Sequence, residues 1–176
     1  MTLPRSRPDA TEYPSFYAGY VASVPEGDLF AVLGAASDEL NATLAAIPDS
    51  RGSYSYGEGK WTVCTLLGHV IDAERIFTYR MLRLARGDST PLPGFDENTF
   101  AARAESDART VADLTREMRV VRASTVALFA SLPDAAWTRS GIVNERPVSV
   151  RALAYITIGH AQHHVGVLRE RYGLTD

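Results

Sequence analysis

Apolar side chains recur at steps of three and four along four long stretches of this chain, and that rhythm restricts it to helices packed on helices. Leu29, Val32, Leu33, Ala36, Leu40, Leu44 and Ile47 form one face of a helix predicted from Asp28 to Ile47. Asp28 offers a side-chain oxygen to its first turn, and Pro48 ends it. A second pattern, Thr62 to Arg86, aligns Leu66, His69, Val70, Ala73, Ile76, Phe77 and Leu84 between an N-cap at Thr62 and a stop at Gly87. The third, Thr110 to Leu132, aligns Val111, Leu114, Met118, Val121, Thr125, Leu128 and Leu132. It opens on Thr110-Val111-Ala112-Asp113, a capping box with Asp in place of Glu, and closes at Pro133. The fourth runs from Ser149 to Tyr172, capped by Ser149 and ended by Gly173. No stretch alternates with period two for long enough to predict a sheet.

Four amphipathic helices must bury their stripes against one another, so the expected fold is all-α, a four-helix bundle. A length of 176 residues suits a single domain with a real core. We expect the bundle over residues 26–176, with the segment 1–25 lying along its outside through Tyr13, Phe16, Tyr17 and Tyr20. The connections are long. Residues 87–109 carry Pro and Gly, predict one short helix around Asn98–Ala104, and are long enough to cross the bundle, so helix order in space stays open.

Composition narrows the function classes. The net charge is −3, Lys60 is the only lysine and the arginines are dispersed, which removes the electrostatic footprint of a nucleic-acid binder. No apolar run reaches membrane-spanning length. The N-terminus lacks the apolar core of a signal peptide, and a lone cysteine, Cys64, excludes an internal disulfide. Both point to the cytoplasm.

The chain has four histidines, and three of them fall within Gly159-His160-Ala161-Gln162-His163-His164. At about 100° per residue, His164 lies about 40° around the helix from His160, and the stripe set by Leu153, Ile156, Thr157 and Val167 is centred between them. His163 falls about 80° off that centre, at the edge of the buried face. The fourth, His69, points inward on the second helix between Leu66, Ala73 and Ile76. A single inward histidine reads as a core residue satisfied by a hydroxyl or carboxylate. A pair spaced by four plus a third on another apolar stripe reads as three nitrogen ligands, His69, His160 and His164, on one divalent metal ion. Such a site leaves a position open for water or substrate. Imidazole ligation suits Zn or Ni and accommodates Fe or Cu. Gly68 and Gly159, each preceding an inward histidine, allow a helix or a ligand to approach closely at that level.

Other residues surround this set. Asp72, one turn beyond His69, can accept the free ring N–H of a ligand, act as a general base, or form a salt bridge with Arg75. Glu74 points away from the His69 face and reads as structural. Arg80 projects inward, where pairing with a carboxylate across the bundle is favoured over receipt of an anionic substrate group. Cys64 lies on the far side of its helix from His69 and reads as a small buried filler. Trp61, Trp137 and the tyrosines read as packing residues. Phosphate loops, a nucleophile elbow and the helical zinc-protease pattern are all missing from the sequence.

In order and spacing, Gly59-Lys60-Trp61-Thr62, Gly68-His69-Val70-Ile71-Asp72-Ala73-Glu74-Arg75, Gly94-Phe95-Asp96 and Ile158 through His164 resemble the DinB/YfiT-like superfamily of metal-dependent proteins. The resemblance covers most of the chain from about Tyr54 onward. It implies a four-helix bundle, often a homodimer, whose metal is held by one histidine of the second helix and two of the last. Those positions here are His69, His160 and His164, and none is missing. It also ranks the reactions. Transfer of a low-molecular-weight thiol (bacillithiol- or mycothiol-type) to a small electrophile comes first, metal-dependent hydrolysis second, and a non-enzymatic, stress-associated metal-binding role third.

Overall fold

The computed structural model describes residues 5–174. The expected single domain, 1–176, and its N-terminal segment, 1–25, therefore include residues 1–4 and 175–176 that lie outside the described residues. A short helix α1 (Ala18–Ser23) precedes α2 (Leu29–Ala46), α3 (Val63–Ala85), α4 (Glu97–Arg103), α5 (Val111–Ser131) and α6 (Val150–Glu170). Each long helix begins at the residue able to cap it. Asp28 accepts from the amides of Phe30 and Ala31, Thr62 from Thr65, Thr110 from Asp113, and Ser149 from Ala152. The reciprocal half of the expected capping box at Thr110 is replaced. The shorter Asp113 carboxylate bonds Arg109 and Arg116 instead of reaching back.

Packing settles the helix order. α3 lies against α5 and α6, and α2 against the same two, so the ring runs α2–α5–α3–α6 with α2 and α3 on a diagonal. The long link between α3 and α5 joins neighbours, and its helix α4 packs on α3. The diagonal crossings fall to the connections before α3 and before α6. The expected amphipathic stripes hold for α2, α5 and the second half of α3, whereas Leu66–Ile71 of α3 are buried on all sides. α6 goes further: Val150 to Ala161 are buried without interruption, because α1, α2, α3 and the hairpin described below enclose that half. One buried carboxylate inside the bundle is fully paired. Glu74 on α3 accepts from Arg122 at 2.7 Å and Thr125 at 2.6 Å on α5, in line with its structural reading.

Two expectations need correction. Despite the missing alternation, the described residues include a hairpin, β1 (Ser140–Val143) antiparallel to β2 (Arg146–Ser149). Four-residue strands, one containing Pro147, are too short to show a period. The two-residue turn, Asn144 and Glu145, has φ of 49° and 63°, as tight hairpins require. The hairpin is sewn to the α3–α4 link, since Leu92 N–H donates to Ile142 O and Asn144 N–H to Leu92 O, each at 2.9 Å. The N-terminal segment, in turn, is more than an outer strap. Val21 and Val24 are fully buried, and α1 crosses α6 in backbone contact.

Candidate metal centre

α3 and α6 carry the site. A helix sets residues four apart one above the other, and α6 presents His160 and His164 in that way, with ring centroids 4.5 Å apart. His69 of α3 completes the group, its ring 5.0 Å from each of the other two. Gly159 lets α1 in. A Cβ at that position would stand 2.0 Å from the carbonyl oxygen of Tyr20. The contact brings the Tyr20 ring edge-on to His160 at 5.4 Å, and Phe77 approaches the same imidazole at 5.5 Å. Gly68 similarly seats Ser106, so both glycines accommodate protein rather than ligand.

The facing ring nitrogens of His69, His160 and His164 lie within 4.8 Å of one another. The Nε2 atoms of His69 and His160 are 3.1 Å apart. Burial holds all three imidazoles neutral. It lowers His69 to about 4, with the Asp72 charge opposing only in part. It lowers His164 to about 3, helped by its histidine neighbours, and takes His160 well below the ordinary value. Neutral imidazoles are the ligating form. Nitrogens on a tetrahedral ion with bonds of about 2.0–2.1 Å stand about 3.3 Å apart, close to the His69–His160 spacing. Among the described residues, Nδ1 of His164 is buried without a hydrogen-bond partner, which costs about 1–3 kcal/mol where nothing else is bound. Donor type, the close His69–His160 pair and the orphaned nitrogen fit a divalent metal ion.

Two cavities open onto this cluster without a common lining residue. One, of about 320 Å³, reaches His164 past Trp61, Lys60, His163 and Arg171. The other, of about 210 Å³, reaches His69 and His160 past Tyr20, Phe77 and Arg80. Glu97 lines the second and Asn98 the first, so the start of α4 stands between them. A third cavity, of about 510 Å³, borders the first at His163, Val167 and Arg171 and the second at Phe16 and Tyr20.

Asp72 is half-buried on α3. Its nearest charged partner is Arg75 at 3.8 Å, and Arg75 itself pairs more closely with Glu117, at 2.6 Å. Desolvation raises the Asp72 carboxyl above its ordinary range, with Arg75 opposing. Arg80 departs from the favoured reading. It is buried, yet among the described residues no carboxylate lies within ion-pairing distance of it. The inward carboxylate of α3, Glu74, is already taken by Arg122. Arg80 instead donates to the Pro93 carbonyl at 2.7 Å and lies over the Phe95 ring. Cys64 is buried with its thiol on the Arg109 carbonyl, away from the histidines. His163 is exposed at the rim, against Tyr20 and His164. Sequence reasoning missed the aromatic wall: Trp61 packs on His69 at 4.9 Å, and Tyr20 and Phe77 flank His160. The signal for Trp61 was its place immediately before the Thr62 cap. For Tyr20, no local signal exists.

A helical bundle in which two helices converge three histidines between two cavities defines a class of candidate metalloprotein, and the sequence places the chain within one family. The DinB superfamily matches residues 33–168, and the chain belongs to it. No curated protein matches the chain in sequence. Among solved structures it is similar to YfiT from Bacillus subtilis, described as a probable metal-dependent hydrolase with an unusual four-helix bundle topology. The TM-score is 0.71 at 18% identity, over 84% of this chain and 87% of that one. It is also similar to a mycothiol-dependent maleylpyruvate isomerase and to a histidine-to-alanine variant of that enzyme. Each has a TM-score of 0.67 at 15% identity, over 78% of this chain and 58% of theirs. At such identities the likeness is one of fold. No helix among the described residues is long and apolar enough to cross a membrane.

Proposed function

We propose that His69, His160 and His164 hold one divalent metal ion and that the site transfers a low-molecular-weight thiol to a small electrophile. The observation that carries this reading is the pair of separate cavities converging on one histidine cluster, which suits a reaction of two substrates. The mycothiol-dependence of one structural neighbour supports it. A bound divalent ion would lower the pKa of a coordinated thiol or water to near neutrality. In the transfer the thiol loses its proton, its sulfur forms a bond to carbon, and the leaving group departs with the bonding pair. Asp72, one turn beyond His69 and raised in pKa by burial, lines neither cavity, and we assign it as the acceptor of that proton by way of water. Trp61, Tyr20 and Phe77 exclude water around the imidazoles and orient them.

Hydrolysis is the second reading, favoured by the description given for YfiT. It needs water alone as the co-substrate, and only one of the two cavities. A single preparation separates the possibilities. Protein purified without a histidine tag should contain about one equivalent of Zn or Ni, and His160→Ala should lose it. The metal-loaded protein should consume monochlorobimane only when mycothiol, bacillithiol or cysteine is supplied. Turnover of ester or amide substrates without thiol would establish the hydrolase instead. Chelation that unfolds the chain, with no activity under either condition, would leave the ion a staple. Full metal content in His160→Ala would remove the site assignment altogether.

A further inference from the structure

Arg80 and His69 share one face of α3. They are separated by eleven residues, about 20° around the axis and about 16 Å along it. A helical side chain leans toward the N-terminus of its helix, so the Arg80 guanidinium reaches back toward His69 through the 210 Å³ cavity that both line. Between them the floor is Ala73 and Phe77, both buried and apolar. The far wall is Phe95, stacked on the guanidinium. Arg80 is only 4% exposed, and the groups its guanidinium meets, the Pro93 carbonyl and the Tyr17 hydroxyl, are both neutral. A buried cation without a carboxylate among the described residues is costly unless something anionic arrives. Glu97 lines the same cavity, exposed to solvent and outside ion-pairing distance of Arg80.

We infer that this cavity binds an elongated small molecule with an apolar body and a terminal carboxylate, the carboxylate held by Arg80 and the opposite end presented to His69 and His160. The planar, forked donors of a guanidinium match a carboxylate. With one cation and a nearby Glu97, the cavity offers little to the second charge of a phosphate. Once the reach of Arg80 is allowed for, about 10 Å of apolar floor remains, the length of a medium-chain acid. Which end of the molecule reacts rests on the metal reading above. The carboxylate subsite does not.

Calorimetric titration of the full chain tests it, using octanoate, octanamide and inorganic phosphate against both chelator-stripped and metal-loaded protein. Stripped wild type should bind octanoate about tenfold or more tightly than octanamide. Arg80→Met should erase that preference, weakening octanoate far more than octanamide, and Arg80→Lys should restore only part of it. Equal affinity for acid and amide in the wild type overturns the proposal, whatever the variants do. So does an absence of saturable octanoate binding, or phosphate binding as strong as octanoate. An acid preference that needs the metal and survives Arg80→Met would place the carboxylate on the ion and overturn it as well. A preference that persists in stripped protein while no metal is ever found supports the subsite and sinks only the metal reading.

Discussion

Asp72 sits one turn beyond His69, and its neighbours pull on it in opposite directions. Burial raises its carboxyl pKa and Arg75, 3.8 Å away, lowers it, with burial the larger cause. A carboxylate made more basic in this way is a better proton acceptor near neutral pH. Asp72→Asn is therefore expected to lower kcat/KM about 100-fold with metal content unchanged, checked by steady-state kinetics beside metal analysis. If the residue served only its salt bridge, kcat would stay put. At this scale the sequence was informative where periodicity decided the answer. The inward positions of His69, His160 and His164, the edge position of His163 and the remoteness of Cys64 all follow from rotation about a helix axis. It was uninformative where a partner came from another element. The wheel turns Arg80 inward and Glu74 away from the His69 face, but it cannot show that Arg122 on α5 meets Glu74 there while no carboxylate among the described residues meets Arg80.

The elements meet most closely where α1 crosses α6, and there a single hydrogen decides the spacing. Gly159 lies against the Tyr20 backbone, which cannot rotate away as a side chain can. Gly159→Ala is expected to destabilise the fold by about 1–3 kcal/mol, read as a lower urea midpoint with unchanged slope. Gly166, in the same helix with open space around its Cα, provides the contrast. Its replacement by Ala should stabilise by about 0.4–1 kcal/mol. Helix existence, type and caps were legible because each cap is local chemistry: Asp28, Thr62, Thr110 and Ser149 act within three residues of themselves. The hairpin was not. Its strands are held by Leu92, some fifty residues upstream of β1, a contact that leaves no trace in the local pattern. α1 was read as an outer strap for a similar reason, since its seat is a glycine 139 residues away from Tyr20.

For the whole molecule, the three imidazoles couple folding to pH. Each is held neutral in the folded chain, His69 until about pH 4 and His164 until about pH 3, and each takes a proton near pH 6.5 once unfolded. The unfolded state thus binds more protons below pH 6.5, and folding stability must fall as pH drops from there toward 4. The contribution is complete above pH 6.5. Each such histidine adds a slope approaching about 1.4 kcal/mol per pH unit. Between pH 6.5 and 4.5 the effect is separable from Glu12 and Asp88, whose lowered carboxyl values make them lose stability only at more acid pH. Urea unfolding of metal-free protein at pH 7, 6 and 5 should show the fall, and replacing His69 and His164 by Gln should flatten it. A pH-independent midpoint would mean that the rings are solvated. The cavities on either side of the start of α4 also have a kinetic meaning under the proposed two-substrate reaction. With one mouth at His164 and another at His69 and His160, neither reactant would have to come first, and initial-rate kinetics should show random rather than ordered binding.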